Sequence, residues 1–399
     1  MGGNGATAWW RAGDSLDRFV RDLLHDEARM LRPTGPWPAA TVFGPDAVPG
    51  EAGLGFDSLE RLAMAAALGE ALFLHRGGLG DDLVTGARLG AWHDAAAAAL
   101  DRCADEVSFR SSGSTGSRRR HVHALALLQD EAAFFATILP GRHRVLAAVP
   151  CHHIYGFLFA LLLPARLGLP VVALGERAPS AVAAMLRPGD LVIGHPGSWA
   201  ALCRAAPEGW PADVVGVSSG APCPDETADA ARRAGLARMV QVYGSSETAG
   251  IGWRDDPAEP YRLLPRWGAT APDVPDRLRW HAPGLFTPEG RRDEAVQVGG
   301  VNVFPGRVRD ALLRHPEVAD AAVRPMAAHE GDRLKAFVVP RDAGASPAVL
   351  AEVLFRFADA ALTPPERPRA FRFGPELPRG ASGKPADWAL QGSAAPSMA

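Results

Sequence analysis

Lysine is nearly missing from this 399-residue chain: of 42 basic residues only Lys335 and Lys384 are lysines, and arginine takes every other cationic position. A surface site asks only for positive charge, but chemistry at a compact ammonium cannot be served by a planar guanidinium. Lys384 is therefore a candidate before any motif is considered, beside the plain reading of a surface lysine. An excess of charge is lacking too. The formal net charge of -3 leaves no electrostatic footprint for nucleic acid or an acidic membrane. Cysteine is scarce. Cys103, Cys151, Cys203 and Cys223 form no CxxC pair and stand with no histidine cluster at metal-ligand spacing, so they read as buried reduced thiols. The longest apolar run, residues 157–174, is broken by Pro164, Arg166 and Pro170, and reads as core rather than a membrane span. The start, MGGNGATAWWRAGD, has no charged segment followed by an apolar stretch and small-residue cleavage site, so a cytoplasmic location is expected.

What is present is ordinary globular material, 47% hydrophobic and 22% charged, and long enough for two or three cores. Leu16, Phe19, Val20, Leu23 and Leu24 recur at helical spacing, and a Pro/Gly-rich loop follows over 33–55. Asp57 or Ser58 can cap an Ala/Leu-rich helix running to about residue 74, and a shorter helix is expected over 91–100. From residue 106 to about 260, apolar strands such as VLAAVP, DLVIGHP, DVVGVSSG and MVQVYGSS alternate with helical stretches. That alternation predicts an α/β fold with a mainly parallel sheet covered on both faces, whose ligands collect at the carboxyl ends of the strands. After residue 290 the pattern becomes hairpin, helix and strands, which predicts a small α+β domain. The expected division is 1–104 helical, 105–292 core and 293–399 C-terminal domain.

Two constellations carry chemistry. Ser111, Ser112, Gly113, Ser114, Thr115 and Gly116 follow a strand-like segment and precede Arg118, Arg119 and Arg120. Hydroxyls, exposed amides, flexible glycines and cations together suit a polyphosphate, although a flexible Ser/Gly linker has the same composition. No Walker pattern is present. Tyr243, Gly244, Ser245, Ser246, Glu247 and Thr248 end another apolar strand, where Glu247 could hold Mg2+ and Ser246 a phosphate, or the segment could be a capped turn. No GxGxxG fingerprint opens a βαβ unit, which sets an oxidoreductase aside.

In their order along residues 105–399 these pieces resemble the adenylate-forming superfamily of acyl-CoA synthetases, aryl-acid ligases and peptide-synthetase adenylation domains. SSGSTGSRRRHVH looks like its phosphate loop, with Arg119 where lysine is usual and Arg118 where proline is usual; His123 lies four residues on. CHHIYGF resembles its substrate gate, which places His153 and Gly156 at matching positions. Ser219, Gly220, Ala221 and Pro222 resemble the segment bordering adenine, and YGSSE the segment in which Ser246 meets the α-phosphate and Glu247 the magnesium. GRRD, ending at Asp293, looks like the hinge between the family's two domains, and PRGASGK like the terminal catalytic loop that ends in Lys384.

The resemblance implies an ATP- and Mg2+-dependent ligase that joins a carboxylic acid to AMP, expels pyrophosphate, and passes the acyl group to a thiol of coenzyme A or a phosphopantetheine-bearing acyl carrier protein. Lys384 would bridge carboxylate and α-phosphate, and rotation about Asp293 would then admit the thiol. There are departures. The usual Thr-Gly-Asp is absent, leaving Asp276, upstream of Arg291, as the substitute ribose contact. The stretch ahead of the phosphate loop is short for the family, and LGFDSL within it resembles a carrier-protein attachment site at Ser58, though it is equally an ordinary helix start. That likeness points toward secondary-metabolite or lipid-type assembly. The alternative function is a non-catalytic nucleotide-binding protein that docks carriers.

Overall fold

The computed structural model describes residues 8–32, 40–79, 83, 86–112, 118–205, 209–268, 274, 276–291, 295–327, 330–342, 344–378, 387–388 and 390. The chain divides into two compact units, one of residues 1–111, 118–274 and 279–287, the other of 112–117, 275–278 and 288–399.

A hairpin of β1 (Glu106–Ser112) and β2 (Arg118–Ala124) precedes the main sheet. That sheet has nine strands: β3 (Arg144–Ala147), β4 (Val171–Ala173), β5 (Asp190–Gly194), β6 (Val215–Ser218), β7 (Arg238–Ser245), β8 (Ala249–Arg254), β9 (Tyr261–Leu263), β10 (Asp276–Ala282) and β11 (Leu285–Arg291). Their order is β10-β11-β9-β8-β7-β6-β5-β3-β4. The stretch from β7 to β4 is parallel, as the alternation of apolar strands and helices predicts. Beyond β7 the pairing turns antiparallel, an extension the sequence pattern does not announce because β9 is only three residues long and β10, DRLRWHA, is largely polar and exposed.

Residues of each parallel strand alternate between two cores. Val145, Leu191, Ile193, Val217 and Val240 face one cluster, whereas Leu146, Val192 and Met239 face another with Trp199, Leu202 and Ala228 of the helices Pro196–Arg204 and Asp225–Arg233. Both faces are therefore covered, and β5 and β6 are buried throughout. The first face is closed by helices Ser15–Leu31, Ser58–Ala71, Leu89–Arg102 and Leu125–Ile138, and by the helical run Ile154–Gly156, Phe157–Leu162 and Leu163–Leu167, whose middle piece is a π-helix.

The N-terminal helices thus share the sheet's core rather than forming a carrier-like body of their own. Phe157 meets the rings of Trp9 at 4.9 Å, Phe109 at 5.3 Å and Phe19 at 5.9 Å. Buried Arg18 donates to the Ala160 carbonyl at 2.8 Å and to Asp14, tying the first helix to the π-helical run. Helix Ser58–Ala71 is capped by Asp57, which accepts from Leu59 and Glu60 amides, so Ser58 is its exposed first residue and not its cap. Cys151 and Cys223 are buried as expected, but Cys103 and Cys203 are only half-buried. Among the described residues no helix is long and apolar enough to cross a membrane.

The second unit holds the hairpin β12 (Val296–Val298) and β13 (Val301–Val303), helix Pro305–Leu312, and the sheet β14-β15-β16 formed by Val318–Pro325, Leu334–Pro340 and Pro368–Phe373. Helix Pro347–Ala361 buries Leu350, Leu354 and Ala358 in a core with Val308, Leu312, Val323 and Val338. β16 follows directly on the Pro-rich stretch LTPPER. Its proline is the first residue of an edge strand, where a missing amide costs no ladder bond.

Candidate active site

The site is assembled at the carboxyl ends of β5, β6 and β7. Where β6 ends, the buried Ser219 hydroxyl donates to the Val242 carbonyl at 2.8 Å, which fastens the SSGAP segment to the strand leading into YGSSE. Gly220 follows with φ of 87°, a left-handed conformation that favours glycine, and the chain leaves the sheet through half-buried Ala221 and exposed Pro222. Beneath them the Tyr155 hydroxyl lies 2.9 Å from both the Gly194 and Val217 carbonyls. Full burial pushes this phenol well above its usual range, so it stays a neutral donor bridging the ends of β5 and β6.

The turn from β7 to β8 carries the second constellation. A side chain at Gly244 would put its Cβ 2.2 Å from the Ala249 carbonyl oxygen, so only glycine allows this closure, and the ladder shifts register there. Ala249 answers with a left-handed φ of 57°. The Thr248 hydroxyl donates to the Ala249 carbonyl at 2.9 Å, which makes Ser245, 3.1 Å away, the donor to Thr248. Ser246 and Glu247 project from this braced turn half-buried. The Ser246 carbonyl accepts from His123 Nε2 at 2.8 Å, so that nitrogen carries the proton. Burial lowers the pKa of His123, which is therefore neutral near pH 7. His121, two residues earlier on β2, brings Nε2 to 4.0 Å from the Glu247 carboxylate. β2 is thus joined to the Ser246–Glu247 turn through His121 and His123.

A buried ion pair backs that turn, and sequence reasoning missed it. Glu131, fully buried in helix Leu125–Ile138, accepts the Gly250 amide with both oxygens at 3.1 Å and lies 3.3 Å from Arg266 Nε. Arg266 donates to the Thr248 carbonyl and, at 2.8 Å, to the Gly250 carbonyl, which Trp267 Nε1 also reaches at 3.0 Å. Burial raises the Glu131 carboxyl to about 7 against the opposing pull of Arg266. The available signal was spacing: Glu131 stands three residues after Leu128 and four before Phe135, on the apolar stripe of its helix.

The remaining candidates are placed as follows. Arg119 is exposed on β2. His153 is exposed at the start of its helix, its ring 4.1 Å from that of His152, beside a small cavity that Asp26, Glu27, Ser108, Arg110 and His152 also line. Gly156 seats the helix on the Pro150 carbonyl, where an added Cβ would approach to 2.0 Å. The Tyr243 ring packs 5.6 Å from both Tyr261 and Phe286. Asp276 opens β10 and Arg291 closes β11. Gly113, Ser114, Thr115, Gly116, Asp293 and Lys384 lie outside the described residues, as do the side chains of Ser111, Ser112 and Arg291.

Comparison with known proteins identifies the family. The family described as AMP-binding enzyme matches residues 110–279, and that of the AMP-binding enzyme C-terminal domain matches 308–384. A 4-coumarate--CoA ligase of Cereibacter sphaeroides is 40% identical over 377 residues, covering 90% of this chain and 89% of that protein. Another, of Halorhodospira halophila, is 37% identical over 390 residues, covering 93% and 98%. Among solved structures, an amide bond synthetase from Marinactinospora thermotolerans shares the fold at 20% identity and a TM-score of 0.59, over 94% of this chain and 93% of that one. A double mutant of the o-succinylbenzoate CoA synthetase of Bacillus subtilis does so at 21% identity and a TM-score of 0.55, over 70% and 67%. With relatives of nearly its own length at 37% to 40% identity, the chain belongs to the AMP-binding, adenylate-forming family and is an AMP-forming acid–thiol ligase, which activates a carboxylic acid as its acyl-adenylate and passes the acyl group to a thiol.

Proposed function

We propose that the acid is aryl, of the 4-coumarate type, and that the thiol is coenzyme A. The observation that carries this reading is the near full-length similarity, at 37% to 40% identity, to relatives named 4-coumarate--CoA ligase. Such similarity extends into the short helical N-terminal portion, so that portion needs no carrier function to account for it. Ser58 is the exposed start of a helix built into the core, and its modification forms no part of this mechanism.

In the proposed mechanism the substrate carboxylate attacks the α-phosphorus of ATP and the bond to pyrophosphate breaks. Ser246 orients the α-phosphate from the braced turn, while Ser111 to Gly116 and Arg119 cradle the leaving phosphates. Glu247, with its carboxylate half-buried on a rigid turn, fits a hard divalent cation, and a bound magnesium ion would supply positive charge to the departing pyrophosphate. Ser219 to Pro222 and Tyr243 border the adenine, and Asp276 with Arg291 the ribose. Lys384 places its ammonium between carboxylate and phosphate, where charge grows in the transition state. Exposed His153 guards the acid's entry. Turning about Asp293 withdraws Lys384, and the thiol then attacks the acyl carbon and releases AMP.

The test is ATP/pyrophosphate exchange with 4-coumarate, benzoate and medium-chain fatty acids, followed by addition of coenzyme A, for wild type and Lys384→Ala. The expected result is exchange that depends on the aryl acid, an acyl-CoA product, and a loss of about 3 to 4 kcal/mol of transition-state stabilisation in the variant. Exchange driven best by fatty acids would sink the substrate assignment. ATP binding with no exchange for any acid would favour the non-catalytic, carrier-docking alternative.

A further inference from the structure

The second lysine of this lysine-poor chain has no role in the mechanism above, yet its side chain is 1% exposed. Lys335 stands on β15, the central strand of the second unit's three-stranded sheet, opposite Arg324 on β14 and Ala370 on β16. An ammonium has three N–H donors, and three oxygens meet this one: Glu330 Oε2 at 2.8 Å, the Trp388 carbonyl at 2.7 Å and Asp387 Oδ1 at 3.2 Å. A planar guanidinium donates in one plane and could not serve the same three directions. That accounts for a lysine surviving here in a chain that otherwise uses arginine.

The contacts converge on one short piece of chain. Glu330 accepts the Ala327 amide at 2.9 Å with Oε2 and the Leu390 amide at 3.1 Å with Oε1. The buried Trp388 ring lies edge-on to Phe337 at 5.7 Å, with the Lys335 ammonium 5.5 Å from its centroid. Phe337 also backs Gly374 just after β16, where an added Cβ would come within 2.6 Å of its ring. One strand, β15, therefore holds the chain at Gly374 and again at Asp387 and Trp388. Lys384 lies between these points, three residues before Asp387. Three peptide units reach at most about 11 Å, so fixing Asp387 limits where the Lys384 backbone can go.

We propose that Lys335, with Glu330 and Trp388, is the positioning anchor of the catalytic-lysine loop: a buried cation that fixes the C-terminal end of that loop so that Lys384 reaches the acid and the α-phosphate in adenylation. The proposal rests on the reading of Lys384 as the adenylating residue, and it goes beyond that reading by giving the loop its support. Lys335 touches no substrate and acts only through Lys384. Its removal should therefore impair the half-reaction that uses Lys384 and spare the one that does not.

The test uses the full chain carrying Glu330→Gln together with Lys335→Met, which removes both buried charges at nearly constant volume so that neither is left unpaired. Single-turnover formation of acyl-adenylate should fall about tenfold to a hundredfold, as misplacement of a catalytic group by about an ångström does. KM values for ATP and acid, and transfer from supplied acyl-adenylate to the thiol, should stay near wild type. Trp388→Ala, which keeps the Lys335–Glu330 pair but removes the ring beside Phe337, should give the same split and covers the case in which the double variant does not fold. Lys335→Arg should fail to restore adenylation. Unchanged adenylation in both variants, or an equal fall in both half-reactions, overturns the anchor. Lys384→Ala run in parallel separates the two ideas: if it too adenylates normally, the reading of Lys384 has failed and the anchor with it. If it is inactive while the anchor variants are not, the anchor alone has failed.

Discussion

Gly250 accepts no side chain, because the space its Cβ would take belongs to Glu131: an added methyl would lie 2.2 Å from Oε1 and 2.7 Å from the Leu264 side chain. Gly250→Ala should cost about 1 to 3 kcal/mol of stability, as overpacking of a filled core does, and should raise the KM for ATP by loosening the turn that carries Ser246 and Glu247. Chemical denaturation and exchange kinetics would check both, and a variant as stable and active as wild type would refute the brace. The same pair carries a pH signature. Burial raises the Glu131 carboxyl from its ordinary 4.5 to about 7, so between those values the folded chain binds a proton that the unfolded chain has released. The stability this group contributes is fully present below about 4.5 and is lost as pH rises through about 7. Glu131→Gln should flatten that limb of the unfolding curve, and an unaltered slope would show that the carboxyl is not the source. At this scale the sequence is legible where a residue breaks a compositional rule, as Lys335 does: one of two lysines in the chain, it is buried on β15. Glu131 was only half legible: its spacing from Leu128 and Phe135 puts it on the buried stripe beside solvent-side Asp130, but its partner Arg266 stands 135 positions later and no local pattern links the two.

Among the elements, those with an apolar face are readable and those that depend on a distant partner are not. The parallel strands and their flanking helices follow from apolar runs and spacing, whereas β10, DRLRWHA, and the edge strand β16, PRAFRF, interleave arginines with apolar residues and show no apolar run. The LGFDSL segment shows how one local pattern fits two contexts. Its capped helix start is as the sequence suggests, but the helix buries Met64, Ala65 and Leu68 in a core shared with the sheet. The likeness to a carrier protein lies in the LGFDSL pattern alone, and packing decides what that helix start is for. Phe157→Ala, which withdraws a ring from Trp9, Phe19 and Phe109 at once, should cost about 3 to 5 kcal/mol. Asp57→Ala should remove only a helix cap, at about 1 kcal/mol. Equal costs in urea unfolding would mean that the N-terminal helices are not part of the main core.

For the whole molecule, the two units hold buried charges of opposite character, so acid should act on them differently. In the first unit burial pushes Glu131 toward its neutral form. In the second the Lys335 ammonium, helped by the Ala327 and Leu390 amides, holds the Glu330 carboxyl down at about 2. A depressed carboxyl contributes stability that is present above its ordinary 4.5 and is lost as pH falls through about 2. Lowering the pH from 7 to 4.5 therefore relieves the first unit of a buried charge and leaves this anchor intact, whereas lowering it further removes the anchor's carboxylate and strands the Lys335 cation in the core. Acid unfolding followed by the fluorescence of Trp388, made the sole tryptophan near the anchor's signal by difference against Trp388→Phe, should show a transition below pH 4.5 that the Glu330→Gln, Lys335→Met chain lacks. If both chains lose that signal at the same pH, the ammonium and carboxylate contribute nothing to the acid stability of the second unit, and its resistance must come from the apolar packing of Val308, Leu312, Val338 and Leu354 alone.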